Sequence, residues 1–206
     1  MRPSDVTWGP VIPAGVRGDA HRLQPTWQKL MMWWFIITDG LLFAGLLASY
    51  GYTRILGSAW PDRSEVFSLR YIAAMTFVLI SSSATMASAV EAARQQRRST
   101  AIRFVLLTAL GGVVFLGMQA FEWRHVIEAG ARLQANPWGD AAFGAYFFLL
   151  TGFHGTHVLT GVVVLVITAL RSMKGVTTAE GVELAGLYWH FVDLVWVFIF
   201  SLFYLV

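Results

Sequence analysis

Residues 141–170 read AAFGAYFFLLTGFHGTHVLTGVVVLVITAL, thirty positions without an Asp, Glu, Lys or Arg. A helix that crosses the hydrocarbon core of a bilayer needs about 20 mainly apolar residues. This stretch is long enough, and it decides the fold class. It also holds two histidines, His154 and His157, where polar groups are costly.

The same pattern recurs outward from it. Residues 71–90 and 104–121 are free of charge, and 30–51 and 184–206 are each broken by one acid, Asp39 and Asp193. The sequence therefore predicts five transmembrane helices: I, 30–51; II, 69–91; III, 102–123; IV, 141–170; V, 184–206. The runs are continuously apolar rather than alternating, which excludes a β-barrel. The expected fold is all-α, a single five-helix membrane domain over 30–206.

Composition agrees. Charged residues make up 13% of the chain and hydrophobic residues 56%, with nine Trp and fifteen Phe. Soluble domains average about 25% charged residues. There are no cysteines, which removes disulfides, thiolate metal sites and Cys-linked haem. Phosphate loops, nucleophile elbows and nucleic-acid motifs are absent.

Of the fifteen Lys and Arg, ten fall on the side that five spans assign to the N-terminus, loop II–III and loop IV–V. The positive-inside rule then places the N-terminus in the cytoplasm and the C-terminus outside. The net charge of +3 reflects this bias. Arg94, Arg97 and Arg98 form a basic cytoplasmic loop, with anionic lipid as its alternative role. Residues 1–29, with four prolines, read as a flexible cytoplasmic arm without the apolar core of a signal peptide.

Ionisable groups at membrane depth are functional candidates by default. Asp39 lies mid-helix in FIITDGLLFAG, suited to carrying a proton or to a structural hydrogen bond. Ser81, Thr85, Ser88 and Glu91 make one polar stripe on helix II, read as close packing. Glu122 and His125 have the E-x-x-H spacing of a di-iron bundle, but only one copy is present. Glu122 reads instead as a hydrogen-bond anchor near the outer boundary.

On helix IV, His154, His157 and Gly161 fall within about 60° of one another. Gly152, Thr156 and Thr160 lie opposite, with Gly155 beside them, as a small-residue ridge for helix contact. Each imidazole needs hydrogen-bond partners. On helix V, His190 and Asp193 are three apart, which predicts an Asp193–His190 hydrogen bond fixing the tautomer. Trp196 and Trp189 share an adjacent face. The depths of His154, His157, His190 and His125 do not match for a bis-His haem, and copper would need three converging ligands. Helix packing, with water or a lipid headgroup as partner, is the stronger reading.

At these residues the sequence resembles subunit III of the haem–copper terminal oxidases. TGFHGTHVLTG resembles a Gly/His helix motif of that family, and YWHFVDLVWVFIF its signature W-H-F-x-D-x-x-W. QAFEW, LISSSATMASA and WWFIITDGLLFAGLLASY resemble further segments, all in the same order. The resemblance covers about residues 30–206 and points to the five-helix form of bacterial members.

The resemblance implies a non-catalytic subunit in the bacterial cytoplasmic membrane, in a complex that couples oxygen reduction to proton pumping. The chain would bind no haem and no metal. Haems and copper would lie in partner subunits. Subunit I would be the main contact, with subunit II and a small subunit IV nearby. A helix I–II pair would stand apart from a helix III–V bundle across a cleft holding structural phospholipids. Asp39, Glu122, His154, His157, His190, Asp193 and Trp196 would line that cleft or pack, and the chain would support proton uptake. At Asp39 many cytochrome c oxidase members carry Glu and bo-type quinol oxidases tend to carry Asp. The tail looks closer to the cytochrome c type, so cytochrome c is the expected donor and quinol the alternative. Two rivals are a subunit III-like protein of nitric oxide reductase and a self-contained haem-binding cytochrome.

Overall fold

A computed structural model describes residues 26–57, 60–62 and 66–205. The predicted arm lies outside them up to residue 25; its last three residues already belong to the first helix. Five helices are long and apolar enough to cross a membrane: α1 Trp27–Leu56, α2 Leu69–Arg94, α3 Arg98–Glu128, α4 Ala141–Met173 and α5 Ala179–Ile199. A wide π-helical turn, Phe200–Leu205, continues α5. The expected polytopic helical bundle is thus observed, with helices longer than the uncharged runs because charged residues at the ends still fit helical geometry.

The ends follow from local chemistry. The Asp140 carboxylate accepts from the Ala142 N–H at 2.9 Å and caps α4. Thr178 accepts from Gly181 N–H at 3.3 Å and caps α5. Helices α2, α3 and α4 close the same way. The residue after the cap, Gln96, Gly130 or Gly175, has positive φ, and the following N–H turns back to Ala92, Val126 or Arg171. Orphan carbonyls at the helix end are satisfied by this reversal.

Packing is set by where bulk is missing. Gly111 faces Ser82, where an added Cβ would come to 2.6 Å, and Gly112 faces Trp189 and Val162 at 2.5 and 2.6 Å. Gly161 also meets Trp189, at 2.9 Å, and Gly186 meets Val90 at 3.0 Å. Small residues let helices approach in a membrane, where apolarity alone gives no preference for another helix over lipid. Helices α2, α3, α4 and α5 close into a four-helix bundle through these contacts.

Helix α1 lies outside that bundle. It packs against α5 and, less, against α4, and buries only Phe43 and Tyr50. This corrects the expected division into a helix I–II pair and a III–V bundle. Ser82 of α2 fits Gly111 of α3, and Val90 and Met86 fit Gly186 of α5, whereas α1 carries large outward residues such as Trp34 and Leu41. α2 is therefore a bundle member, and α1 stands alone.

Candidate functional site

The ionisable residues separate into three environments. The first is the bundle interior. His154 is fully buried, and neither ring nitrogen has a hydrogen-bond partner. Phe115 meets it edge-on at 5.7 Å, and Trp196 lies tilted over it at 5.1 Å. Among the described residues no protein group bonds His154, and α3 and α5 face it with the rings of Phe115 and Trp196. Trp196 itself donates to Thr76 Oγ1 at 3.0 Å, and Trp189 to Ser82 Oγ at 3.1 Å. Above His154, Gln119 donates to the Thr151 carbonyl, and Trp123 to Thr151 Oγ1 at 3.0 Å. Glu122 is 5% exposed and its Oε1 has no partner among the described residues. It lies two turns before the end of α3 at Glu128.

The second environment is a groove between α1, α4 and α5. His157 Nε2 lies 3.2 Å from Asp39 Oδ2, with both side chains largely buried. His157 Nδ1 is 2.8 Å from the Phe153 carbonyl. A carbonyl only accepts, so Nδ1 carries a proton. The Nε2–Oδ2 approach is a close contact without hydrogen-bond geometry, and Asp39 Oδ2 has no hydrogen-bond partner among the described residues. Tyr188 donates to the His157 carbonyl at 3.1 Å. His154 and His157 therefore face different surroundings despite their 60° separation: one points into the bundle, the other toward α1.

His157, Tyr188, Thr156 and Thr160 border an apolar groove of about 690 Å³ whose other wall includes Trp27, Met31 and Phe35. The expected small-residue ridge is accordingly split. Gly152 packs on Trp123 and Gly155 on Gln119, each with an added-Cβ distance of 3.0 Å. Thr156 and Thr160 are exposed, and each bonds a carbonyl of its own helix, Phe153 at 2.6 Å and Thr156 at 2.9 Å. The α3 neighbour covers only the glycine side of α4. The polar stripe of α2 divides similarly: Thr85 meets Thr108 of α3 at 2.8 Å, and Ser88 turns outward to the Ala84 carbonyl.

The third environment is the outer face of α5. His190 Nδ1 lies 2.6 Å from Ser83 Oγ of α2. The expected Asp193–His190 bond is not formed, because Ser83 stands opposite the imidazole and takes its place. Asp193 is partly buried; Ser83 also hydrogen-bonds its carboxylate, and its Oδ1 is covered and has no partner among the described residues. Ser83 and Tyr188 were not singled out in the sequence. Ser83 sits within a run of three serines whose facing cannot be read from order alone, and Tyr188 directly precedes the tryptophan that drew attention.

At the end shared by the α1 start and the II–III loop, charges pair within the chain. Glu183 forms ion pairs with Lys29 of α1 at 3.1 Å and with Arg94 of α2 at 3.3 Å. Arg98 donates to the carbonyls of Ser172 and Met173, both at 2.5 Å, at the end of α4. Arg97 reaches Gln95. Two of the three basic-loop arginines thus tie helices together. Among the described residues, no three His, Cys, Asp or Glu side chains cluster as a metal site.

A family model described as cytochrome c oxidase subunit III matches residues 11–206. The chain belongs to that family. It is 35% identical to cytochrome c oxidase subunit 3 of Corynebacterium diphtheriae, over 84% of each chain. It is 33% identical to cytochrome bo(3) ubiquinol oxidase subunit 3 of Pseudomonas aeruginosa, over 84% of this chain and 82% of that one. Quinol oxidase subunit 3 of Bacillus spizizenii is 35% identical over 85% of both. As a subunit III of an oxidase complex, the chain is an integral membrane component.

Proposed function

We propose that the chain is a non-catalytic accessory subunit of a proton-pumping haem–copper oxidase in a bacterial cytoplasmic membrane. It stabilises the oxygen-reducing subunit I, with subunit II and a small subunit IV in the same assembly. Its N-terminus faces the cytoplasm and its C-terminus the outside. Haems and copper belong to the partners, and this chain binds none. The match to the subunit III family over 11–206 carries the reading.

The groove between α1, α4 and α5 lined by Phe35, His157 and Tyr188 is the site for structural phospholipid. His157, which approaches Asp39 at 3.2 Å, lines that groove, and this ionisable pair beside lipid is the feature that suits support of proton uptake. Cytochrome c is the proposed donor. Quinol is a second reading, favoured by relatives named as quinol oxidase subunits at like identity.

Purification of the native complex with a visible spectrum and subunit identification tests this. A partner carrying two haems and copper is expected; a non-haem-iron partner, as in nitric oxide reductase, would overturn it. A Soret band in the isolated chain would replace it with a haem-binding cytochrome. His190→Ala should weaken retention in the complex or speed inactivation during turnover, with initial oxidase rates near normal. Immediate total loss of activity in an intact complex would count against a non-catalytic role.

A further inference from the structure

Glu183 of α5 holds Lys29 of α1 on one side and Arg94 of α2 on the other. It therefore marks the point where α5 lies between these two helices. His190 is seven residues further along α5, on the same face at 100° per residue, and Val197 seven beyond that. Past the Glu183 clamp, α1 and α2 each pack on α5 but make no substantial contact with one another. A strip of α5 is left open between them.

This strip is unusual for a lipid-facing surface. His190 and Asp193 are only partly buried, although the unpaired Asp193 Oδ1 is itself covered. His190 uses Nδ1 on Ser83, and its Nε2 has no partner in the chain among the described residues. An imidazole offers two hydrogen-bonding atoms, and one left in hydrocarbon carries a desolvation cost of about 1–3 kcal/mol. His190 and Asp193 lie about 10 and 15 Å along the axis beyond the charged clamp, at 1.5 Å per residue. That is well inside a hydrocarbon core of about 30 Å, beyond the reach of lipid headgroups. Beside the strip, Gly40, Ala44 and Ala48 of α1 border an apolar groove of about 420 Å³ with Leu194 and Phe198 of α5. Small residues four apart admit a close helix backbone, which acyl chains do not require.

We infer that the opening between α1 and α2, floored by His190, Asp193 and Val197 of α5, seats a transmembrane helix of another polypeptide. That helix brings a hydrogen-bonding side chain to the depth of His190 and lies against the Gly40–Ala48 side of α1. The inference gives the accessory-subunit reading a docking surface, but it requires only a membrane partner, not a particular reaction.

The test places the photo-crosslinker benzoylphenylalanine at Val197, and separately at the exposed Ala87 of α2, one turn from Ser83, in the full chain in native membranes. The expected product joins the chain to a different polypeptide. Adducts with lipid alone, or with a second copy of this chain, would overturn the inference. In parallel, Asp193→Leu should reduce the share of chain retained in the complex several-fold at equal membrane abundance; unchanged or improved retention would count against it, because a lipid-facing site favours leucine. The two readings fail separately. A haem–copper partner that co-purifies while crosslinks reach only lipid defeats the surface alone. A crosslinked polypeptide without a haem–copper partner defeats the oxidase assignment and leaves the surface standing.

Discussion

Gly112 of α3 lies so close to the indole of Trp189 on α5 that an added Cβ would stand 2.5 Å from Cη2, with Val162 of α4 at 2.6 Å on the other side. Trp189 is fully buried and its N–H is held by Ser82 of α2. Gly112 thus sets how closely α3 approaches α4 and α5 at this level.

Gly112→Ala should therefore destabilise the chain by about 1–3 kcal/mol, the usual cost of overpacking a tight core. Gly117 on the same helix has nothing within 4 Å, so Gly117→Ala should leave stability unchanged or slightly raised. Thermal unfolding of both variants in one detergent measures the contrast. Equal shifts would refute the packing role of Gly112.

His154 behaves as an aromatic filler. His154→Phe removes two unbonded buried nitrogens and keeps ring contact with Phe115 and Trp196. It should cost less than about 1.5 kcal/mol, as shape-conserving swaps do. His154→Ala should cost about 2–5 kcal/mol through the cavity it leaves. Chemical unfolding in mixed micelles ranks the two; a Phe variant worse than Ala would point to a polar role.

The Asp39–His157 contact joins α1 to α4. Asp39→Asn and His157→Gln should be non-additive, with a coupling of roughly 0.5–3 kcal/mol for residues in direct contact. A double-mutant cycle on unfolding midpoints reads this. Additive effects would mean that the 3.2 Å approach contributes nothing to holding α1.

Arg98 and Arg97 are neighbours with different tasks. Arg98→Ala removes both donors from the α4 carbonyl end and should cost about 1.5–3 kcal/mol, as for bonds from a charged donor. The Arg97 side chain, bonded among the described residues only to Gln95 two residues away, should be replaceable by Ala within about 0.5 kcal/mol. Proteolytic nicking of the α2–α3 and α4–α5 turns gives an independent readout, with faster cleavage expected for Arg98→Ala alone.

The number, order and approximate limits of the five spans were legible in the sequence, because the cost of charge in hydrocarbon is a property of each segment by itself. The charged ends, where helices run past the apolar run, were not. The family was legible too, from ordered motifs that the match over 11–206 bears out. Tertiary structure alone decided which side of each helix meets protein. In a bilayer both sides are apolar, so periodicity does not separate a lipid-facing leucine from a packed one. That is why α1 rather than an α1–α2 pair stands apart, why His190 bonds Ser83 and not Asp193, and why His154 and His157 part company. Two histidines 60° apart on one helix look equivalent until the neighbours are in place. Then one is enclosed by Phe115 and Trp196, and the other meets Asp39 at the edge of a groove.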